Sequence, residues 1–173
     1  ETMQRHVQDT KIRFRQNIEK IAADLIAVYQ LQFQAEVAHL SEPLARWMDF
    51  RLRYVDPVPR KIQVAKHFTT QLTAAVAAGH SSLAAKMMDG HDINSYQSKG
   101  LIRFNDSSGK KRAKRTDLLW ASWAVMHLHI TDLPVPKGEF FSPRRSSDGD
   151  EMLLFCIFTG DTVLLIDVAD HKE

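Results

Sequence analysis

The chain has 173 residues, of which 44% are hydrophobic and 25% charged, close to the averages for globular proteins. This composition excludes an intrinsically disordered chain and fits one domain, or one domain with a helical extension. The net charge of +2 does not by itself predict a nucleic-acid partner. The single cysteine, Cys156, excludes an intrachain disulfide and a cysteine-built zinc site, which favours a reducing, cytoplasmic compartment. No apolar run reaches the roughly 20 residues that a membrane-spanning helix needs, so no membrane partner is expected.

The first half of the chain has the pattern of a helical region. Apolar residues recur mostly every three or four positions from Ile12 to Phe33, without an interrupting glycine or proline, which predicts one long helix. Gly79 and Gly90 are expected to end later helices, because glycine readily adopts the left-handed conformation that closes a helix. The predicted helices cover approximately residues 8–38, 43–53, 60–79 and 81–88.

The last fifty residues have the pattern of a small antiparallel sheet. His127–Ile130 alternates polar and apolar side chains, which predicts a strand with one face on the core. Two apolar segments, Met152–Phe158 and Thr162–Val168, predict two further strands. The turn Thr159–Asp161 contains a central glycine and is expected to join these two strands as a hairpin.

A short helix is predicted directly before the sheet. It covers Asp117–Val125, and Trp120 and Trp123 are expected to anchor it in the core. The predicted fold class is therefore α+β, with a helical part followed by a small antiparallel sheet packed on helices. We expect a helical extension over residues 1–90 and a mixed α+β domain over residues 91–173.

His127 and His129 are the first candidate catalytic residues. Side chains alternate along a strand, so both imidazoles are expected on the face opposite Leu128 and Ile130. A polar face of this kind is either solvated or forms a cleft, and imidazole exchanges protons near neutral pH. The alternative is an exposed strand that happens to carry two ordinary histidines.

Arg144 and Arg145 are candidates for holding a phosphate, with Lys137 nearby in the same loop. The planar guanidinium group matches phosphate oxygens and stabilises negative charge that develops during phosphoryl transfer. Functional side chains are common on loops that precede a strand. The alternative is a solvated loop whose charges only keep the protein soluble.

His171 and Lys172 follow the last predicted strand. A histidine at that strand end would complete a group of three with His127 and His129, which could transfer protons or bind a metal through three nitrogens. The alternative is a flexible chain terminus.

A basic run lies between the helical part and the sheet. It could follow a nucleic-acid backbone, and its usual alternative is a solvated loop. The candidate RNA-binding residues, together with Lys137 and Lys172, are Lys110, Lys111, Arg112, Lys114 and Arg115.

The C-terminal segment resembles a known family. The sequence EMLLFCIFTGDTVLLIDVADHKE and its final Asp167–Lys172 stretch resemble the end of RelE-like ribonuclease toxins, over approximately residues 125–173. The resemblance implies a compact sheet with helices on one side. It also implies RNA cleavage without a metal, in which a 2′-hydroxyl attacks the adjacent phosphate, and a neutralising protein partner.

The sequence thus favours a metal-independent endoribonuclease of the toxin type that acts on RNA and needs no cofactor. Its catalytic candidates are His127, His129, Arg144, Arg145 and His171. Two alternatives stay open, a histidine-ligated metal enzyme and a non-enzymatic protein-binding module. The sequence makes no prediction of oligomeric state.

Overall fold

The computed structural model describes residues 2–31, 43–69, 71–102 and 118–170, with backbone alone for residues 2–6 and 118. The chain divides into two compact units, Glu1–Tyr54 with Lys99–Ser107 and Val55–Ser98 with Ser108–Glu173. The α+β class predicted from the sequence is confirmed, because helices come first and a sheet follows. In the described ranges no helix has the length and apolar content required to cross a membrane.

The first unit is built from two helices that pack on each other, α1 (Thr2–Val28) and α2 (Pro43–Arg53). The end of α2 agrees with the prediction, whereas α1 ends well before residue 38 and residues 32–42 lie outside the described ranges. Tyr29 lies against α2, with its ring centroid 5.2 Å from that of Phe50. The buried cluster of this unit consists of Ile26, Leu31, Phe50 and Leu101.

Arg46 holds α2 to the segment after residue 98. Its side chain is fully buried, and its guanidinium group donates to the carbonyl oxygens of Leu101 and Ile102, each at 3.0 Å. A buried charge is costly unless hydrogen bonds satisfy it, and the Asp49 carboxylate at 3.4 Å adds an ion pair. The first unit is therefore stabilised by the buried hydrogen bonds of Arg46 as well as by its apolar cluster.

The second unit is built on a sheet with the strand order β1-β4-β3-β2. β2–β3 and β3–β4 are antiparallel, as predicted, and β1 adds a parallel partner to β4, which makes the sheet mixed. β2 is an edge strand of the described sheet. The strands are β1 (Lys61–Val64), β2 (Met126–Ile130), β3 (Met152–Phe158) and β4 (Thr162–Asp170).

The core lies on one face of this sheet, under α3 (Ala74–Asp89) and α4 (Leu118–Trp123). Leu128 and Leu154 are completely buried there, and Trp120 packs against the same cluster. The anchoring role predicted for Trp123 is wrong. This residue is the last of α4, and 73% of its surface is exposed.

The helix predicted over residues 60–79 is wrong. Residues 61–64 form β1, and α3 begins only at Ala74, capped by Thr73, whose Oγ1 accepts from the Val76 amide. Ile62 alternates with polar neighbours, a period that suits a strand, and pairing with β4 stabilises the extended chain.

The boundary expected at residue 90, between a helical extension and a mixed α+β domain, falls inside the second unit. Gly90 ends α3 there, with φ 74°.

Gly79 does not end a helix but lies inside α3 at a close contact with the end of β2. A Cβ atom added there would lie 2.6 Å from the carbonyl carbon and 2.8 Å from the carbonyl oxygen of Thr131. Both atoms belong to the backbone and cannot rotate away. Glycine therefore allows α3 to approach the strand that carries the two histidines.

We expect Gly79→Ala to lower the free energy of unfolding by about 1–3 kcal/mol, because the added methyl forces the helix and strand apart. Chemical denaturation of both proteins measures the change. Gly160→Ala is the matched control, because a Cβ at Gly160 meets nothing within 4 Å. Equal stabilities of Gly79→Ala and the parent would contradict the close approach.

Candidate functional site

β2 presents its two histidines on the sheet face opposite the core, as predicted. Leu128 and Ile130 are fully buried in the core, whereas His127 and His129 point to the other side. The two ring centroids lie 6.4 Å apart, with the ring planes at 84°. His127 is half-buried and His129 is only 3% exposed. The pair therefore combines an accessible imidazole with a nearly enclosed one.

Phe155 lies next to His127 on the same face. It pairs with His127 across β2–β3 and with Asp167 across β3–β4, so these three side chains form one row across the sheet. Phe155 is half-buried, and the core cluster formed by the described residues does not include it. An aromatic surface thus lies between an imidazole and a carboxylate.

Asp167 also fastens the chain after β1. Its Oδ1 accepts from the backbone amides of Thr69 at 3.0 Å and Val168 at 2.8 Å. Hydrogen bonds from Thr69, followed by that from Val168, lower the pKa of this carboxyl group below its ordinary value of 3.8. At neutral pH Asp167 is an anion whose Oδ1 is already occupied by two backbone amides. This disfavours it as the proton-transfer group.

Four hydrogen bonds join the loop that contains Arg144 and Arg145 to the end of β2, one of them from the Ser147 hydroxyl to the Asp132 carboxylate. Thr131 donates through Oγ1 to the carbonyl oxygen of Arg145 at 2.9 Å, and Ser146 donates through Oγ to the carbonyl oxygen of Ile130 at 3.2 Å. The Ser147 amide donates to Asp132 at 2.8 Å. The backbone of Arg145 is therefore held beside the strand end that follows His129.

The side chain of Arg145 reaches toward the start of β3. Its Nε lies 3.7 Å from Oε2 of Glu151, and the two side chains are 65% and 17% exposed. An ion pair with an exposed partner contributes little to stability, so the main effect of this pair is to orient the Arg145 guanidinium group. Arg144 and Lys137 are exposed on the same loop, and no described hydrogen bond or ion pair joins either to another residue.

Glu151 was not predicted as a site residue. One residue before β3, it shares the odd-numbered positions of Leu153 and Phe155, which pair with His129 and His127. Extending that alternation by one residue could have identified it. Its carboxylate can orient Arg145 or accept a proton.

Several predicted site residues lie outside the described ranges. His171 and Lys172 follow the last described residue of β4, so the structure does not test a group of three histidines. The residues of the basic run also lie outside, namely Lys110, Lys111, Arg112, Lys114 and Arg115. Among the described residues, no group of three or more histidine, cysteine, aspartate or glutamate side chains could hold a metal ion.

Cys156 is on the core side of β3 and is fully buried. Burial raises the pKa of its thiol far above the ordinary value of 9.0, so it remains protonated at neutral pH. The thiolate is the reactive form of cysteine. We therefore place Cys156 in the core and not in the site.

Comparison of the chain with protein-family models, with curated proteins and with solved structures yields no match. The geometry of the site places two imidazoles and an aromatic ring on one face of β2 and β3, and an arginine–glutamate pair just beyond the Ile130–Met152 end of these strands. These groups can move protons and bind an anion.

The hydrogen bonds between Ser147 and Asp132 give a prediction about pH. Hydrogen bonds from the Ser147 side chain and backbone lower the pKa of Asp132 below its ordinary value of 3.8. A carboxyl whose pKa is lower in the folded protein stabilises the fold above its ordinary pKa, and this stabilisation is lost as pH falls through the lowered value.

Asp132→Ala should therefore be less stable than the parent at neutral pH, and the difference should shrink on acidification below about pH 4. Denaturant unfolding of both proteins from pH 7 to pH 3 measures it. Ser147→Ala, which removes the hydroxyl donor but leaves the backbone amide, should show the same trend with a smaller difference. A stability difference between parent and variant that grows in acid would contradict the stabilising role of the Asp132–Ser147 hydrogen bonds.

Proposed function

We propose that the protein is a toxin-like endoribonuclease that cleaves RNA without a metal ion, with His127, His129 and Arg145 in its active site. The observation that carries the proposal is the histidine pair, 6.4 Å apart on the face opposite the core. The loop of Arg145 is fixed to the end of the same strand. The sequence resemblance to RelE-like toxins points to the same chemistry.

The reaction needs groups on both sides of a phosphate. A base removes the proton from the 2′-hydroxyl, whose oxygen then attacks the adjacent phosphorus. The bond to the 5′-oxygen breaks, and an acid protonates that oxygen as it leaves. The products are a 2′,3′-cyclic phosphate and a 5′-hydroxyl end. Neutral imidazole is a base and imidazolium is an acid near neutral pH, so His127 and His129 can supply both roles.

Arg145 would stabilise the charge on the pentacoordinate phosphorus. Guanidinium groups pair with phosphate oxygens through two parallel hydrogen bonds. The Arg145 side chain is 65% exposed and therefore open to a ligand. Its ion pair with Glu151 would hold the guanidinium group in position until the phosphate binds.

Phe155 favours an unpaired stretch of RNA as the substrate. Single-stranded bases stack on aromatic side chains, whereas bases inside a duplex cannot leave their own stack without cost. Phe155 is partly exposed next to His127. A base stacked there would place its ribose close to the imidazole.

The decisive experiment incubates the full chain with single-stranded RNA of mixed sequence, with EDTA and without it. We expect cleavage in both samples and a 2′,3′-cyclic phosphate on the upstream product. RNA with 2′-deoxy residues throughout should remain intact, because the attacking hydroxyl is missing. Absence of cleavage of free RNA and of messenger RNA on ribosomes would refute the proposal.

A toxin-like activity implies a neutralising protein partner and action in the cytoplasm, where its RNA substrates are. Expression of the chain alone should therefore arrest growth of a host cell. The His127→Ala variant, produced in equal amount, should not. Equal growth arrest by the parent and the variant would show that toxicity does not depend on His127, against the proposed chemistry.

A further inference from the structure

α1 carries an exposed apolar stripe with a strict seven-residue spacing. Large side chains recur at Val7, Phe14, Ile21 and Val28. Their exposed fractions are 46%, 67%, 58% and 74%. Large apolar residues scattered singly on a surface are ordinary, but a regular row of four along one helix is not.

The stripe is distinct from the face of α1 that packs in the first unit. That face contains Ala22 and Ile26, which are 1% and 8% exposed. A seven-residue step returns to nearly the same side of a helix, drifting by about 20°. Ile18 and Leu25, both half-buried, lie between the stripe and the packed face.

From Phe14 onward the apolar positions follow a coiled-coil seam. The steps to Ile18, Ile21, Leu25 and Val28 alternate between four and three residues. This alternation lets the side chains of one helix fit between those of a second helix wound around it. A membrane surface or a small ligand would not require the seven-residue period, so the pattern specifies a helical partner.

The charges on α1 make a second copy of the same helix complementary in the antiparallel direction. Residues 7–17 carry three basic side chains and one acidic one, whereas residues 18–28 carry two acidic side chains and one basic one. An antiparallel arrangement sets the basic half of each helix against the acidic half of its partner. A parallel arrangement would set like charges against each other, which is unfavourable.

We propose that the protein forms a homodimer through α1, with the two copies of this helix antiparallel and the stripe buried between them. α1 has 27 residues. It is therefore about 40 Å long, and residues 7–28 span about three heptads. This assembly is independent of the proposed ribonuclease activity, because it uses α1 and none of the site residues.

Light scattering and sedimentation of the full chain over a range of concentrations test the dimer. We expect a mass of twice 19.8 kDa at high concentration and dissociation on dilution. Phe14→Glu should remain monomeric at concentrations at which the parent is a dimer. Ile12→Glu is the matched control, because Ile12 is 47% exposed on the same helix but lies off the stripe. Circular dichroism would establish that both variants keep the helix.

Disulfide cross-linking tests the direction of pairing. Ile18→Cys, near the centre of residues 7–28, should cross-link to itself under oxidation, whereas Val7→Cys should not. The native Cys156 is fully buried and should not interfere. A monomeric parent, a dimeric Phe14→Glu or a monomeric Ile12→Glu would overturn the proposal. Efficient self-cross-linking of Val7→Cys would overturn the antiparallel direction.

Discussion

Replacement of His127 by alanine is expected to slow RNA cleavage by about 10²–10⁴-fold, the range typical for loss of a general acid or base. His127 is the more accessible member of the pair, and it lies beside the aromatic ring of Phe155. His129→Gln should produce a loss of similar order. The glutamine keeps most of the buried volume of His129, which is only 3% exposed. Single-turnover cleavage rates, with enzyme in excess, measure the chemical step directly.

The double variant separates joint action from independent action. If both imidazoles serve one proton-transfer step, His127→Ala with His129→Gln should cost little more than the worse single change, because groups that act as a unit are non-additive. His91→Ala is the matched control, since His91 is exposed and distant in sequence from the pair. Parent-like rates in folded variants of both histidines would remove them from the mechanism.

The part of the fold that the sequence predicted correctly is local. β2, β3 and β4 follow from alternating or continuous apolar segments joined by a short turn, and such patterns depend on neighbouring residues. β1 was missed because Lys61–Val64 is short and pairs with β4, which lies far along the chain. Gly79 was misread for the same reason, because its role depends on the backbone of Thr131. Single-chain periodicity carries no information about such distant contacts.

In the candidate site, too, the features that follow from local patterns were predicted, and those that depend on distant segments were not. The common face of His127 and His129 follows from alternation along one strand, and the structure places them so. The position of Arg145 depends on hydrogen bonds from Thr131 and Ser146, which join two segments separated by a long loop. Arg144 and Arg145 were equivalent in the sequence. The hydrogen bond to the Arg145 carbonyl oxygen and the ion pair of its side chain with Glu151 distinguish them in the structure.

That distinction leads to the second large effect, at Arg145. Arg145→Ala is expected to lower the cleavage rate by about 10²–10³-fold, as removal of one preorganised charge-stabilising donor typically does. Arg145→Lys keeps the charge but replaces the planar fork of donors with a point charge. We therefore expect the lysine variant to recover only part of the rate.

Arg144 is the matched control for this prediction. It precedes Arg145 on the same exposed loop and carries the same charge, but the ion pair with Glu151 is made by Arg145. Arg144→Ala should therefore weaken RNA binding modestly, and added salt should erase the difference, because exposed charges are screened within about 10 Å at 0.1 M ionic strength. The loss in Arg145→Ala should persist at both low and high salt, because that residue acts on the bound phosphate. If Arg145→Lys is as fast as the parent, or if salt abolishes the effect of Arg145→Ala, Arg145 attracts RNA without stabilising the reacting phosphate.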